Sequence, residues 1–261
     1  QLLMEAGCPP GVVNFLPGLG EEVGEYLTSH KDIDLIAFTG SKQVGVNIVA
    51  KTGQIQPDQR YVKRCIVEMG GKNAIIIDSD ADLDEAVAGV LYSAFGFQGQ
   101  KCSACSRVIV LDGIYDRFIT RLIDAAKSIQ ILPSHDPAAY LGPVVDEEAK
   151  AKILSMVEDA KSYATLAFQS EVPQGGHFVP ATIFTDVAPN SSIAQEEIFG
   201  PVLAVIKAKD FDQALDIAND TQYGLTGGVY SRSPSNIEKA KCEFNVGNFY
   251  INRNITGAMV D

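Results

Sequence analysis

The feature that most limits the fold is a regular alternation of short apolar runs with helical patterns along the chain. Apolar runs of strand length occur at 73–78 (NAIIID), 107–111 (RVIVL) and 201–208 (PVLAVIKA). Segments with the three-to-four-residue spacing of amphipathic helices separate them, as at 82–97 and 146–163. Strands that alternate with helices pair in parallel and are covered on both faces. The sequence therefore predicts an α/β fold built on a parallel sheet.

Other segments continue the same alternation of strands and helices. A buried strand is predicted at 35–38, with a helix at 42–51 after it and another strand at 65–68. Short apolar runs beside turn residues predict two more strands, one at 11–16 (GVVNFL) and one near Phe178, after a pair of glycines. We find no internal repeat and no low-complexity linker.

The balance of charges excludes several classes of partner. The chain has 33 acidic and 21 basic residues, and its net charge of −12 argues against binding to nucleic acid or to anionic lipid. No run of about 18 apolar residues predicts a membrane span. The first residue is Gln1 and no signal-peptide pattern follows it, so we expect the chain to be a fragment of a longer protein.

The cysteines and histidines indicate free thiols and no metal site. Five cysteines at scattered spacings suit a reducing compartment better than a disulfide framework. We therefore expect a cytoplasmic protein, or one of the mitochondrial matrix if the source is eukaryotic. The three histidines lie far from the cysteines in sequence, so no zinc site is predicted.

A candidate phosphate-binding loop lies where the strand at 35–38 gives way to a helix. Gly40 and Ser41 lie at the helix start, and Gly45 follows five positions after Gly40. Backbone N–H groups at a helix start attract phosphate, and glycine lets the ligand approach closely. The usual G-x-G-x-x-G dinucleotide pattern is absent. On this motif alone, a plain strand-to-helix turn with a glycine and a serine cap is the favoured interpretation.

A candidate nucleophile lies in the loop 97–106 (FQGQKCSACS), between a helix and a strand. Cys102 has small neighbours and a lysine, Lys101, that favours a thiolate. With Cys105 it also forms a C-x-x-C pair, which is typical of redox proteins. Such redox motifs usually begin a helix, whereas this one runs into the strand at 107–111. We favour a single nucleophile, with Cys105 as a packing residue.

Glu68 ends an apolar strand and is followed by 69–73 (MGGKN). A carboxylate at a strand end, with glycines that leave space beside it, can act as a general base towards water. A surface glutamate at a turn is the alternative.

Four motifs in a fixed order resemble the aldehyde dehydrogenase superfamily. They are 38–41 (FTGS), 68–72 (EMGGK), 99–102 (GQKC) and 197–201 (EIFGP), and the resemblance extends over essentially the whole chain. It implies an aldehyde dehydrogenase-like fold, with residues 1–68 as the C-terminal part of a Rossmann-type NAD-binding domain. Residues 69–261 would then form the α/β catalytic domain, cut at its C-terminal end.

Two longer stretches look most like the L-glutamate γ-semialdehyde (1-pyrroline-5-carboxylate) dehydrogenases. They are 95–107 (FGFQGQKCSACSR) and 252–258 (NRNITGA). This likeness implies oxidation of the semialdehyde to L-glutamate in proline degradation. Cys102 would form a thiohemiacetal and then a thioester, and Glu68 would activate the water that releases the acid.

The resemblance also implies residues for the cofactor, NAD or NADP. Gly40, Ser41 and Gly45 would face its pyrophosphate at the helix start. Glu197 would hydrogen-bond the nicotinamide ribose, and Phe199 would pack near the nicotinamide. Without the resemblance, Glu197 would be an exposed carboxylate and Phe199 a core residue.

For the substrate, the resemblance implies a site that binds the far carboxylate of the semialdehyde. Ser103 and the backbone N–H groups of Gly257 and Ala258 match that site, and short polar donors suit a carboxylate. Lys101 adds positive potential, or is simply solvated, and a plain turn is the alternative for 257–258.

The family's asparagine of the oxyanion hole, its lysine for the adenosine ribose and its oligomerising arm do not match any part of this sequence. We therefore expect the 261-residue polypeptide to be inactive or poorly folded alone, and its full-length parent to be a homo-oligomer. The competing functions are an aldehyde dehydrogenase for another aldehyde, a thiol redox protein that uses Cys102 and Cys105, and a non-catalytic scaffold.

Overall fold

The computed structural model describes residues 1–257, so the predicted carboxylate donor Ala258 lies outside the described residues. The chain divides into two compact units between Met69 and Gly70, one residue beyond the boundary predicted from the sequence. Each unit is described by itself.

The first unit contains a small parallel sheet and a helix that begins beside it. Its helices and strands are α1 (Leu2–Glu5), a π-helical turn (Gly20–Gly24), α2 (Glu25–Ser29), β1 (Leu35–Thr39), α3 (Lys42–Thr52) and β2 (Arg64–Glu68). Strands β1 and β2 pair in parallel, with Thr39 opposite Glu68. Ser41 begins α3 as its N-cap, because its hydroxyl accepts a hydrogen bond from the backbone N–H of Val44 at 3.4 Å.

The strand predicted at 11–16 is wrong, because these residues form turns and irregular backbone. Gly11 has a positive φ of 84°, and the proline pair before it and Pro17 after it cannot donate to a ladder. The apolar side chains of this segment are exposed, with Phe15 at 90%. An apolar run does not form a strand without a neighbouring strand to pair with.

The prediction that the strand at 35–38 is buried is also wrong for this chain. Both β1 and β2 alternate between exposed and half-buried residues. Among the described residues of the first unit, Ile48 is the only apolar side chain that is fully buried. A two-stranded sheet with a few short helices has too little surface to enclose a core.

We expect this weakly buried first unit to open locally while the second unit stays folded. In the 261-residue polypeptide, amides of β1 and α3 should exchange with deuterium at least about tenfold faster than those of the second unit's central strands. Hydrogen exchange followed by mass spectrometry measures this difference. Equal protection of the two units would contradict the expectation.

The second unit is built on one seven-stranded sheet. Its strands are β3 (Asn73–Ile77), β4 (Cys105–Leu111), β5 (Thr165–Gln169), β6 (Thr182–Thr185), β7 (Val202–Ala208), β8 (Thr226–Tyr230) and β9 (Asn248–Ile251). Its helices are α4 (Leu83–Phe95), α5 (Tyr115–Ala126), α6 (Glu147–Ala160), α7 (Ser192–Gln195), α8 (Phe211–Asn219) and α9 (Pro234–Glu243), with a 3-10 turn at Asp112–Ile114. The strand order is β5-β6-β7-β4-β3-β8-β9, and the neighbours are parallel except for β5 and β6.

Two apolar clusters cover the two faces of this sheet. One includes Ile76 and Ile109, and the other includes Ile75 and Val108, so alternate residues of β3 and β4 enter opposite clusters. All five residues of β3 are buried. The continuous apolar runs therefore correspond to central strands buried on both faces.

The strand predicted near Phe178 is wrong in position. Strand β5 precedes the glycine pair and β6 begins at Thr182, so Phe178 lies in the connection between them. Gly175 and Gly176 have positive φ, and Pro180 cannot donate to a ladder. The carbonyl of His177 instead accepts a hydrogen bond from the backbone N–H of Val144, at 2.9 Å.

Candidate active site

Cys102 lies in a tight turn at the amino edge of the central strands, where the chain leaves α4 and enters β4. The turn is closed by a hydrogen bond of 3.0 Å from the backbone N–H of Ala104 to the carbonyl of Lys101. The cysteine is half-buried. Open α/β sheets usually bind ligands at the carboxyl edge of their strands, whereas this loop lies at the amino edge. That general rule therefore does not predict the position of Cys102.

The chain enters this turn through three consecutive residues in the left-handed region. Phe97, Gln98 and Gly99 have φ values of 57°, 60° and 65°. A side chain at Gly99 would overlap the carbonyl oxygen of Gly200, so the backbones of the two segments touch. Left-handed backbone outside glycine persists only where the surroundings fix it, and it concentrates at functional sites.

The side chain of Asn73 fixes the turn at residues 101–104, called here the cysteine turn, a role that the sequence did not reveal. Its side-chain amide donates to the carbonyls of Cys102 at 2.7 Å and Ala104 at 2.8 Å. Its side-chain oxygen accepts from the backbone N–H of Thr226 at 3.0 Å. One buried amide therefore joins the cysteine turn, β3 and the start of β8.

Gly71 allows the cysteine turn to approach β3. A methyl group at this position would overlap the carbonyl oxygen of Cys102 and lie 2.7 Å from the side-chain amide of Asn73. Only glycine leaves room for the turn at this point.

Cys105 is a buried packing residue, as the sequence analysis favoured. Its side chain is 1% exposed, and its thiol donates to the carbonyl of Arg107 at 3.2 Å. Burial raises the pKa of this thiol to about 12. A thiol that stays protonated at neutral pH is a poor partner for thiol–disulfide exchange, which counts against the redox hypothesis.

Glu197 packs against the glycines that follow β2 in sequence. Its carboxylate accepts a hydrogen bond of 2.9 Å from the backbone N–H of Gly71, and a side chain at Gly70 would overlap it. The next residue, Ile198, is buried, and Phe199 is 41% exposed with a φ of 58°. Glu197 and Ile198 thus anchor this segment, and the Phe199 ring is partly exposed to solvent.

One cleft brings together three of the residues predicted for the site. Lys101, Glu197 and Phe199 line it, together with the glycines at 71, 99 and 200. The ammonium group of Lys101 lies 5.6 Å from the centre of the Phe97 ring, within the range of a cation–π contact. Ser103 is half-buried in the adjacent turn.

Hydrogen bonds to α4 and to Ser231 fix the segment that leads to Gly257. The backbone N–H of Ile255 donates to the buried hydroxyl of Ser93 at 3.1 Å, and the side-chain amide of Asn252 bonds both backbone groups of Ser231. Gly257 itself has a φ of 78°, which glycine adopts readily.

Two buried cations lie next to the cleft. Arg107 donates to the carbonyls of Lys72, Ile217 and Ala218 at 2.9–3.0 Å and so caps the end of α8. Burial lowers its pKa to about 10. Burial, and then the charge of Arg107, lowers the pKa of Lys72 to about 7.

The remaining predicted residues lie in the first unit, at the carboxyl ends of its two strands. The backbone N–H of Gly40 donates to the carbonyl of Glu68 at 3.0 Å, and the Glu68 side chain is exposed. A side chain at Gly40 would overlap the ring of Phe38, and one at Gly45 would lie 2.7 Å from the Met69 side chain. The ring of Phe38 and the side chain of Met69 therefore pack directly against these two glycines.

The profile of the aldehyde dehydrogenase family matches residues 1–261. The chain belongs to the aldehyde dehydrogenase family. The predicted α/β fold, with its mainly parallel sheet, is that of the family and is confirmed. Among the helices described up to residue 257, none has the length and apolar character needed to cross a bilayer.

Individual relatives give a more specific likeness. The chain is 49% identical over all its 261 residues to a 1-pyrroline-5-carboxylate dehydrogenase of Geobacillus thermodenitrificans, of which it covers 51%. The structure of a Thermus 1-pyrroline-5-carboxylate dehydrogenase with bound NAD has 52% identity and a TM-score of 0.95, over 98% of this chain and 50% of that one. Proline utilization A from Bdellovibrio bacteriovorus, inactivated by N-propargylglycine, has 63% identity and a TM-score of 0.98, over 100% of this chain and 27% of that one. The chain thus spans about half the length of the curated relatives it matches.

Proposed function

We propose that the full-length protein containing this chain oxidises L-glutamate γ-semialdehyde, formed from 1-pyrroline-5-carboxylate, to L-glutamate in proline degradation. The observation that carries this proposal is the turn of Cys102, which Asn73 and Gly71 hold beside a cleft that Glu197 and Phe199 line. The likeness to 1-pyrroline-5-carboxylate dehydrogenases over the whole chain supports the choice of substrate.

The residues present fit a dinucleotide cofactor, and we propose NAD. Helix α3 begins directly after Gly40 and Ser41, and the side chain of Ser41 caps it by accepting from the backbone N–H of Val44. Such a helix start binds phosphate oxygens. In the second unit, the half-buried Glu197 suits a ribose hydroxyl and the exposed ring of Phe199 suits a flat nicotinamide. When bound, NAD accepts the hydride that leaves the aldehyde carbon.

Cys102 supplies the nucleophile in the proposed mechanism. Its thiolate adds to the aldehyde carbon and forms a thiohemiacetal, and loss of hydride from that carbon leaves a thioester on the cysteine sulfur. Glu68 then takes a proton from water, and the hydroxide adds to the thioester and releases L-glutamate and the free thiolate. Because Asn73 occupies the carbonyl of Cys102, the turn keeps its shape during these steps.

We propose that the semialdehyde's far carboxylate is held by the hydroxyl of Ser103 and by backbone N–H groups at Gly257 and Ala258. The fixed loop that ends at Gly257 supports this role, since a preorganised donor loses little entropy when it binds. Lys101 adds positive charge at the cleft. The homo-oligomeric state and the cytoplasmic or mitochondrial location stay predictions from the sequence.

The substrate can be tested by comparing aldehydes on the purified full-length protein, with NADH formation as the signal. We expect kcat/KM for L-glutamate γ-semialdehyde to exceed that for pentanal, which has a similar chain length but no carboxylate, by at least about 100-fold. Ser103→Ala should reduce this preference, whereas Ser162→Ala, an exposed serine after α6, should not. Equal kcat/KM values for the two aldehydes would favour a dehydrogenase for another aldehyde.

A further inference from the structure

Lys72 is a buried lysine for which the proposed chemistry has no use. Its side chain is 1% exposed, and its ammonium nitrogen has no hydrogen-bond partner among the described residues. Burying a charge or a strong donor without a partner is unfavourable, so such groups usually have a function or a bound water. The backbone of Lys72 is fixed, since its carbonyl accepts from Arg107 at 2.9 Å.

The charged groups around Lys72 come from two directions. Strand β4 contributes the guanidinium of Arg107, which disfavours the ammonium form, and the thiol of Cys105. The segment after α7 contributes the carboxylates of Glu197 and Glu196, which favour it. Arg107 already donates to three carbonyls, whereas the ammonium nitrogen of Lys72 has no hydrogen-bond partner among residues 1–257. The attraction between Lys72 and Glu197 therefore acts over a longer distance than a direct ion pair.

Glu197 and Lys72 are also joined through the chain. Gly71 donates its N–H to the carboxylate of Glu197 at 2.9 Å, and Lys72 is the next residue. We propose that Lys72 is a positioning residue, whose buried ammonium charge attracts the Glu197 carboxylate without direct contact and favours the orientation in which Gly71 binds it and it meets the cofactor. This inference rests on the proposed role of Glu197 in cofactor binding.

A small cavity beside Lys72 has room for a water molecule that would hydrate the ammonium group. It has a volume of about 10 Å³, and Lys72, Thr221 and Thr226 line it. Like the lysine nitrogen, the hydroxyls of both threonines are buried without a partner among residues 1–257. A cavity that admits one water-sized sphere and offers three polar groups is suited to one ordered water.

The protonation of Lys72 falls in the physiological range, because burial, followed by the charge of Arg107, lowers its pKa to about 7. Below that pH the group is an ammonium ion and attracts Glu197. As the pH rises above it, the ammonium charge and its attraction for Glu197 are lost. Cofactor affinity should therefore fall between pH 6 and pH 8.

The test is NAD binding to the full-length protein without aldehyde, measured by calorimetry. At pH 6, Lys72→Met should raise the Kd for NAD about tenfold, the equivalent of about 1.4 kcal/mol. The wild-type Kd should rise between pH 6 and pH 8, and the Kd of Lys72→Met should stay constant. Lys161→Met is the matched control, because this lysine is exposed and pairs with Glu158, and its Kd should equal that of the wild type.

A double-mutant cycle with Glu197→Gln identifies the route of the effect. If Lys72 acts through Glu197, Lys72→Met should weaken NAD binding little further in the Glu197→Gln background. Additive effects, an unchanged Kd in Lys72→Met, or a wild-type Kd that is flat with pH would each overturn the inference. If Lys72→Met does not fold, the wild-type pH profile decides alone. Failure of the wild type to bind NAD would overturn the proposed function instead.

Discussion

Replacing Cys102 with alanine is expected to abolish aldehyde oxidation by the full-length protein, with a loss in kcat of at least about 10⁴-fold. In the proposed mechanism, alanine removes the sulfur that would form the thiohemiacetal and the thioester. Cys105 cannot replace this sulfur, because it is 1% exposed and burial raises its pKa to about 12. The measurement is the steady-state rate of NADH formation, together with its pre-steady-state burst. We expect the burst to disappear as well.

Cys105→Ser is the matched control for this experiment. It removes the other thiol of the C-x-x-C pair and should leave kcat within about tenfold of the wild type, since the residue is a buried packing residue at the start of β4. A labelled aldehyde trapped on the enzyme by acid quench should be found on Cys102 in the peptide map. Loss of turnover in Cys105→Ser, with turnover retained in Cys102→Ala, would reverse the assignment in favour of the redox hypothesis.

Asn73→Ala is expected to have the second largest effect, although Asn73 does not touch substrate in the proposed mechanism. The change leaves the carbonyls of Cys102 and Ala104 and the N–H of Thr226 without their partner. Buried groups that lose a partner cost about 1–3 kcal/mol each, so the free energy of unfolding should fall by about 3 kcal/mol. The freed turn should also lower kcat by about 100-fold, because a misplacement of about 1 Å is enough for that loss.

Asn219→Ala separates loss of activity from loss of stability. The amide of Asn219 also joins two backbone groups, the carbonyl of Glu243 and the N–H of Asn245, both at 2.8 Å and far in sequence from the cysteine turn. It should destabilise the fold and leave kcat near that of the wild type. Urea unfolding and steady-state kinetics measure the two quantities. If kcat falls equally in both variants, Asn73 has no special role in holding Cys102.

The central strands could be predicted from the sequence because their burial on both faces leaves continuous apolar runs. Strands β3, β4 and β7 lie within about four residues of the predicted ranges. The apolar run at 11–16 was misleading, because strand formation depends on a neighbouring strand that a local pattern does not show. Helix α9 was not predicted, although Ser233 as its N-cap and Pro234 at its first position are the usual start signals.

Part of the candidate site could also be predicted from the sequence, for a different reason. Cys102 and Glu197 belong to motifs whose order along the chain carries information, so a resemblance could propose them as site residues. Asn73 and Lys72 have no such local signal. Asn73 acts through Thr226, which lies 153 residues away in sequence, and Lys72 is unusual only because folding buries it. Contacts between residues so far apart in sequence depend on the order of the strands in the sheet, which a local sequence pattern does not show.

The contact between Gly99 and Gly200 has a consequence for how the specificity of this scaffold can change. It is made by backbone, and so is the approach of Gly71 to Cys102. The backbone contacts that shape the turn of Cys102 therefore do not depend on which side chain stands at 103. We expect position 103 to accept other side chains, during evolution or in the laboratory, while the turn keeps its shape. A library that randomises position 103 should then yield folded proteins with altered aldehyde preference, whereas changes at Lys101 should also alter the reactivity of the proposed nucleophile.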